Sequence, residues 1–315
     1  MSVNTQVPTR VYLVGAGPGH PGLLTKRAER CIRRADIILF DRLVHPFILQ
    51  YARPEAEIID VGKKPYDKHI QQAEINAQIY DAAQRGQCIV RLKGGDPAIF
   101  GRVQEEVAML QKHAIPFEIV PGITSASATA ASINIGLTAR DIATSVTFTT
   151  GHFKQSEPHA INIKPLLHKG TLAVYMGVKR LKDVLACIAR ETETTYPIAV
   201  IFNATCHNEV RYVGTTKTIL SQLKTEDGPG MVLIGDIVQH VTMPKNTTVQ
   251  YYLLTGSRVD TLSFAEDVYE AGHQAYIVLD EQEAWHPSQR AYWSARLEAQ
   301  HFDHIVHVTE DTCLC

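Results

Sequence analysis

Near the start of the chain the apolar run Val11-Tyr12-Leu13-Val14 enters Gly15-Ala16-Gly17-Pro18-Gly19-His20-Pro21-Gly22 and restarts as a helix-like segment. A strand that ends in a glycine turn and gives way to a helix opens an α/β unit, and this constrains the fold more than any other feature of the chain. The pattern repeats. Leu24, Ala28, Cys31 and Ala35 recur on one helical face. Strand-like runs follow at Ile37–Phe40 and Glu57–Gly62. A helix-like run then ends at Gly86, and Cys-Ile-Val-Arg-Leu-Lys (88–93) enters a second glycine turn. Val103 to His113 reads as a helix, and Phe117–Val120 closes a first domain of residues 9–121. The alternation predicts a largely parallel sheet.

Residues 122–145 read as a linker with a helix of small residues. Residues 146–244 hold further strand-like runs that alternate with polar positions, which predicts a second α/β domain with a mixed sheet. Composition breaks near Met243-Pro244-Lys245-Asn246, and residues 249–315 form an extra segment with strand and helix character. That tail is expected to pack on a partner subunit or to stay partly mobile. A net charge of −2 across 315 residues gives no argument for a nucleic-acid partner. No apolar run is long enough to span a bilayer, and the first ten residues lack a signal core, so a cytoplasmic protein is expected. Six scattered cysteines without a C-x-x-C pair read as reduced thiols, and no metal site is expected. For the His and Cys residues near the end, "HIVHV" (304–308) reads instead as a strand.

The spacing Gly17-x-Gly19-x-x-Gly22, with Asp41 further on, formally matches a dinucleotide fingerprint. A pyrophosphate cradle works through backbone N–H groups at a helix N-terminus, and Pro18 and Pro21 each remove one. An NAD-dependent oxidoreductase is therefore disfavoured. The second loop, Arg91-Leu-Lys-Gly-Gly-Asp-Pro-Ala-Ile-Phe-Gly-Arg102, offers close backbone approach at Gly94-Gly95. Asp96 offers an acceptor for a ribose hydroxyl or an ammonium group, and Pro97 and Ile99 offer apolar contact to a ring. Gly-Gly-Asp-Pro is also an ordinary turn, but a turn does not need the flanking Arg91, Lys93 and Arg102.

"VGAGPG", "FDRLV", "VGKK", "RLKGGDPAIFGR", "VPGITSA" and "YMG" occur here in one order. Together they resemble the uroporphyrinogen-III C-methyltransferase family of the tetrapyrrole methylases, from about Arg10 to about His240. The resemblance implies two α/β domains with the active-site cleft between them. It implies S-adenosylmethionine as methyl donor, leaving S-adenosylhomocysteine, and methylation of uroporphyrinogen III at two pyrrole carbons to give precorrin-2. That product feeds sirohaem, cobalamin or haem d1. By the same resemblance Pro18, Gly94, Gly95, Asp96, Ile99, Thr124, Ser125, Met176 and Ala204 bind the donor. Asp41 and Lys63 match a proton acceptor and donor, and Arg102 and Glu105 match an Arg and a Glu beside the substrate. A substrate with eight carboxylates calls for Arg forks, and Arg42, Arg91, Arg102, Arg140 and Arg211 are candidates, with Lys93 and Lys154 in support. A homodimer is expected. For single residues other roles stay open: an N-cap or a salt bridge with Arg42 for Asp41, a solvated charge run for Lys63-Lys64, a core methionine for Met176. A methylase of a later corrin precursor and a degenerate tetrapyrrole-binding relative are the alternative functions. The chain departs from the family's usual "GIPLTHRD", with Asn134 for glycine, Gly136 for proline and Ala139 for histidine. The tail faintly resembles the opening of a uroporphyrinogen-III synthase, with about a quarter of that domain present.

Overall fold

The structure is a computed structural model that describes residues 9–62, 71–151, 163–224, 228–242, 248–280 and 283–314. Lys63, Lys154 and the 243–246 break lie outside the described residues. The chain divides into two units, one of residues 1–123 with 247–315, the other of 124–246.

The first unit is built on β1 (Arg10–Gly15), α1 (Lys26–Arg34), β2 (Ile37–Phe40), β3 (Glu57–Asp60), α2 (Gln72–Arg85), β4 (Cys88–Lys93), α3 (Val103–Lys112) and β5 (Phe117–Val120). The strands form one sheet in the order β3-β2-β4-β1-β5, every pair parallel. A parallel sheet must be covered on both faces, and the side-chain alternation shows how. Val11, Leu13, Ile37, Leu39 and Ile89 pack with α2 and α3. Val14, Ile38, Phe40, Val90 and Leu92 point to the opposite face, against α1 and the 3-10 stretch Pro46–Tyr51.

The second unit starts with α4 (Ser125–Ser132) and continues through β6 (Ser145–Thr150), α5 (Ile163–Leu167), β7 (Gly170–Tyr175), α6 (Leu181–Glu191), β8 (Pro197–Phe202), β9 (Val210–Thr215), α7 (Ile219–Gln222) and β10 (Gly230–Ile234). Its order is β6-β7-β10-β8-β9. β6 and β7 run parallel and the remaining pairs antiparallel, the mixed sheet that the polar alternation predicts. The small-residue helix α4 thus belongs to this unit rather than to a free linker. Asn134, one of the departures, has φ +58°, and its amide donates to Thr242 Oγ1 at 2.9 Å. Asn tolerates the left-handed region better than most non-glycine residues, so the position keeps the backbone that a glycine would supply.

The tail differs from expectation. It forms β11 (Tyr251–Gly256), α8 (Arg258–Glu270), β12 (Gln274–Ile277), α9 (Pro287–Glu298) and β13 (His304–Val308), a parallel sheet in the order β12-β11-β13. It packs on the first unit of its own chain rather than trailing from it. Leu262, Phe264, Val268 and Trp293 share one buried cluster with Ile32, Phe47 and Leu49. The reason is the apolar surface that α1 and Pro46–Tyr51 present through Ile32, Phe47 and Leu49, which the tail covers. Polar contacts fix the register. Gln289, fully buried, donates to the carbonyls of Arg53, Pro54 and Ala56 at 2.8, 3.0 and 2.8 Å. Ser288 Oγ accepts from Ile58 N–H at 2.9 Å, and Tyr51 donates to Glu266 at 2.8 Å. Arg258 reaches the carbonyls of Gln50 and Ala52. No helix of the described residues is long and apolar enough to cross a membrane.

Trp293 is 1% exposed at this junction. Trp293→Ala is expected to lower stability by about 3–5 kcal/mol, the usual cost of emptying an aromatic core site. Urea unfolding followed by circular dichroism checks it, and a loss below about 1 kcal/mol would show that the tail packs too loosely to be part of this core.

Candidate functional site

In the first unit the loops after β1, β4 and β5 meet main chain to main chain. Gly17 and Gly95 exchange two backbone hydrogen bonds, 3.1 Å from Gly17 N–H and 2.7 Å from Gly95 N–H. A Cβ on Gly15 would stand 2.6 Å from Gly122 N and Gly95 O, and one on Gly122 only 2.3 Å from Gly95 O. No side chain fits between these segments, so glycine is required at the C-terminal edge of the parallel sheet, where α/β folds bind ligands. Gly94 lies against the next loop, where its Cβ would stand 2.6 Å from Leu43 Cβ. Leu43 N–H donates to Asp41 Oδ1 at 3.0 Å, which places Asp41, at the end of β2, beside this glycine shelf.

Asp96 has an intrachain role. Its Oδ1 accepts from Ala98 N–H at 2.7 Å and its Oδ2 from Gly122 N–H at 3.0 Å. The carboxylate closes its own turn and staples the β4 loop to the exit of β5, with one lone pair left on each oxygen. Beyond it, Phe100 and Arg102 adopt φ of +53° and +55°. Non-glycine residues held there store about 1–3 kcal/mol each and gather at functional loops. Pro18 and Ile99 are half-buried on the same edge.

The cations divide sharply. Arg91 and Lys93 were expected to meet substrate carboxylates, but both are buried. They lie two apart on β4, on the face that meets α3, and both reach Glu106. Arg91 Nε is 3.2 Å and Lys93 Nζ 2.8 Å from Glu106 Oε1. Arg91 also donates to the Leu92 carbonyl at 2.8 Å and stands 3.5 Å from Asp41 Oδ2. An unpaired buried charge is too costly to persist, so each of these cations is drawn to the internal carboxylate. Burial pushes the Lys93 ammonium below its usual range, Arg91 adds to the shift, and Glu106 opposes it. Glu106 Oε2 has no hydrogen-bond partner among the described residues. Arg211 is likewise committed, to Glu209 and to the carbonyls of Ser132 and Thr242 at 2.6 and 2.9 Å. Arg42 and Arg140 are exposed, with no ion pair among the described residues. Arg102 and Glu105 form an exposed two-pronged pair, both contacts 2.7 Å.

Glu106 escaped the sequence reading, although a signal existed. Val103, Glu106, Val107 and Leu110 follow the i, i+3, i+4, i+7 spacing of an inward helix face, and an acid there needs a buried cation opposite.

In the second unit, β6, β7 and β8 point the same way, and their last residues share one edge. Met176 follows β7 with φ +54° and is 56% exposed, so it is not a core methionine. Ala204 follows β8 between Asn203 and Thr205, both at positive φ. Thr124 Oγ1 shares a 2.6 Å hydrogen bond with the hydroxyl of Tyr175, and that hydroxyl also accepts from Ala126 N–H at 3.3 Å. Tyr175 thus holds the start of α4, where Ser125 is the first residue.

Residues 10–220 match the tetrapyrrole (corrin/porphyrin) methylases. The chain belongs to that family. A uroporphyrinogen-III C-methyltransferase of Priestia megaterium is 43% identical over 234 residues, which cover 73% of this chain and 98% of that protein. A siroheme synthase of Pseudomonas fluorescens is 44% identical over 234 residues, and there the chain spans about half of the relative's length. Among solved structures, uroporphyrin-III C-methyltransferase from Thermus thermophilus, complexed with S-adenosylhomocysteine, matches with a TM-score of 0.63 at 34% identity. That match covers 73% of this chain and 99% of the other. The family's part ends well before β11, so the tail is an addition to the methylase units.

The Arg102 guanidinium, through its hydrogen bonds, holds the Glu105 carboxyl below its ordinary value of 4.5. Their pairing therefore favours the folded state above that value and is lost as pH falls through the lowered one. Arg102→Ala is expected to return the Glu105 titration upward toward 4.5, read by carboxyl-carbon NMR. A midpoint that does not move would show that the pair does not persist in solution. Glu106→Ala, which strands two buried cations, is expected to cost about 3–5 kcal/mol in urea unfolding, well above the cost of Glu105→Ala on the exposed side.

Proposed function

We propose that this chain transfers methyl groups from S-adenosylmethionine to two pyrrole carbons of uroporphyrinogen III, giving precorrin-2. The observation that carries this is the match over 98% of the length of the Priestia megaterium enzyme. The glycine shelf supports it. A bulky nucleoside needs backbone that can be approached closely, and Gly17, Gly94 and Gly95 present such backbone at the sheet edge with Pro18 and Ile99 beside it. These residues would hold the donor, and Asp96 would fix the shape of their loop. From the second unit the proposal takes Thr124, Ser125, Met176 and Ala204 as donor-binding residues. S-adenosylmethionine, when bound, supplies a methyl group on a sulfonium centre that a carbon nucleophile can displace.

The protein's own task is then positioning and proton management. Alignment of reacting atoms contributes on the order of 7–11 kcal/mol to such reactions. Asp41, oriented by Leu43 N–H and by Arg91 3.5 Å away, takes the proton that the ring system must lose once the quaternary carbon has formed. Glu105 suits that role less, because Arg102 stabilises its ionised form and weakens it as a base. The exposed Arg42 and Arg140, with Arg102, are the cations open to substrate carboxylates. Arg91, Lys93 and Arg211 leave the substrate-binding set and become supports of the fold. Lys63 keeps its proposed role as proton donor. A cytoplasmic homodimer without a nucleic-acid partner completes the proposal.

Anaerobic incubation with S-adenosylmethionine and uroporphyrinogen III, followed by mass spectrometry, is expected to show a gain of two methyl groups. Asp41→Asn is expected to lower turnover by roughly 10²–10⁴-fold, the usual contribution of a positioned acid or base, while binding of adenosylhomocysteine by calorimetry stays within about twofold of wild type. Binding of adenosylhomocysteine without any methyl gain by the wild-type chain would instead point to a later corrin precursor as substrate.

A further inference from the structure

We propose that the C-terminal addition is a positioning element of the donor site, acting through Tyr269 and His20 on the two loops that follow β1 and β2. The proposal rests on the assignment of those loops to the donor and proton-acceptor roles above.

Two histidines cap the 3-10 turns that end these loops. His20 precedes Pro21–Leu23, and its Nδ1 accepts from Gly22 N–H at 3.1 Å. His45 precedes Pro46–Tyr51, and its Nδ1 accepts from Phe47 N–H at 3.3 Å. Both rings converge on one side chain of the tail. Tyr269, buried in the last turn of α8, stands edge-on to His20 at 6.2 Å and 82° and to His45 at 5.6 Å and 86°. It also packs on Phe47 at 4.7 Å. Edge-to-face pairs of this kind each contribute about 0.5–1.5 kcal/mol beyond their burial.

His20 is tied to α8 a second time. Its Nε2 lies 3.2 Å from the Tyr269 carbonyl. One nitrogen accepts from an amide and the other faces a carbonyl, so the bonds select the neutral tautomer with the proton on Nε2. The ring is a rigid bridge from the end of α8 to the backbone of the glycine loop. Gly22 itself lies against the helix end, where a Cβ would stand 2.6 Å from Glu270 Oε1.

Both loops lead to the shelf. The first carries Gly17, bonded to Gly95, together with Pro18. The second carries Asp41 and, through Leu43, abuts Gly94. A shift of either capping histidine therefore moves backbone that this site needs in place, and a binding loop that is no longer held in its bound shape loses affinity for its ligand. The family match ends at residue 220, and the Priestia megaterium relative aligns over only 73% of this chain, so this support comes from outside the shared methylase units.

The test uses the full chain, calorimetry with S-adenosylhomocysteine, steady-state kinetics and thermal melting. His20→Asn keeps an acceptor near Nδ1 for Gly22 N–H but cannot reach the Tyr269 carbonyl. It is expected to weaken adenosylhomocysteine binding at least fivefold and to raise the KM for S-adenosylmethionine in proportion, with kcat changed less than twofold. Tyr269→Ala is expected to weaken binding at least tenfold, and Tyr269→Phe, which keeps the ring contacts, to restore it to within twofold of wild type. If Tyr269→Ala does not fold, His20→Asn decides. Wild-type binding matched within twofold by folded His20→Asn, whatever its melting temperature, would overturn the positioning role. A wild-type chain that binds no adenosylhomocysteine would overturn the donor-site assignment itself.

Discussion

The contact of bare main chain at the exits of β1, β4 and β5 governs the rest of the first unit. Gly15, Gly17, Gly95 and Gly122 bring these backbones closer than any side chain allows, and the Gly17–Gly95 hydrogen bonds lock the approach. Asp96 then ties the β4 loop to Gly122 N–H, and Gly94 admits the Asp41–Leu43 loop. Each later feature of the candidate site depends on that spacing. A single Cβ at position 15 or 122 would push the strand exits apart and carry the loops with them.

Beneath the shelf the sheet carries charge where apolar residues would be simpler. Replacing a buried ion cluster by packed hydrophobic side chains is often neutral or stabilising, so Arg91, Lys93 and Glu106 are weak evidence for stability as such. Their placement gives them another use. Arg91 spans from Glu106 to Asp41, so the cluster links helix α3 to the carboxylate beside the shelf. The cations thereby fall into two populations. One, Arg91 and Lys93, is buried and bonded to Glu106, and the other, Arg42, Arg102 and Arg140, is exposed at the surface.

Much of this was legible in the chain itself. β2 and β5 coincide with the apolar runs Ile37–Phe40 and Phe117–Val120, and the missing amides at Pro18 and Pro21 already argued against a pyrophosphate cradle. The ordered motifs carried the family. The departure at Asn134 occupies a left-handed position that Asn fills well. Less legible were the partners of polar residues. Arg91 and Lys93 flank a glycine turn in a way that suggested ligand contact, and nothing local shows that an acid thirteen to fifteen residues on turns inward to meet them. The tail was harder still. Its strands and helices follow ordinary periodicity, but which surface they cover is not a periodic property.

The sequence by itself determined the strand and helix order, the two glycine loops and membership of the tetrapyrrole methylases, because backbone permissiveness and apolar period act over a few residues. The tertiary structure alone decided which charges are buried, which remain open, and that Tyr269 from the end of the chain touches the loops near its start. Those outcomes depend on desolvation and on the matching of distant surfaces, and neither is encoded within any one segment.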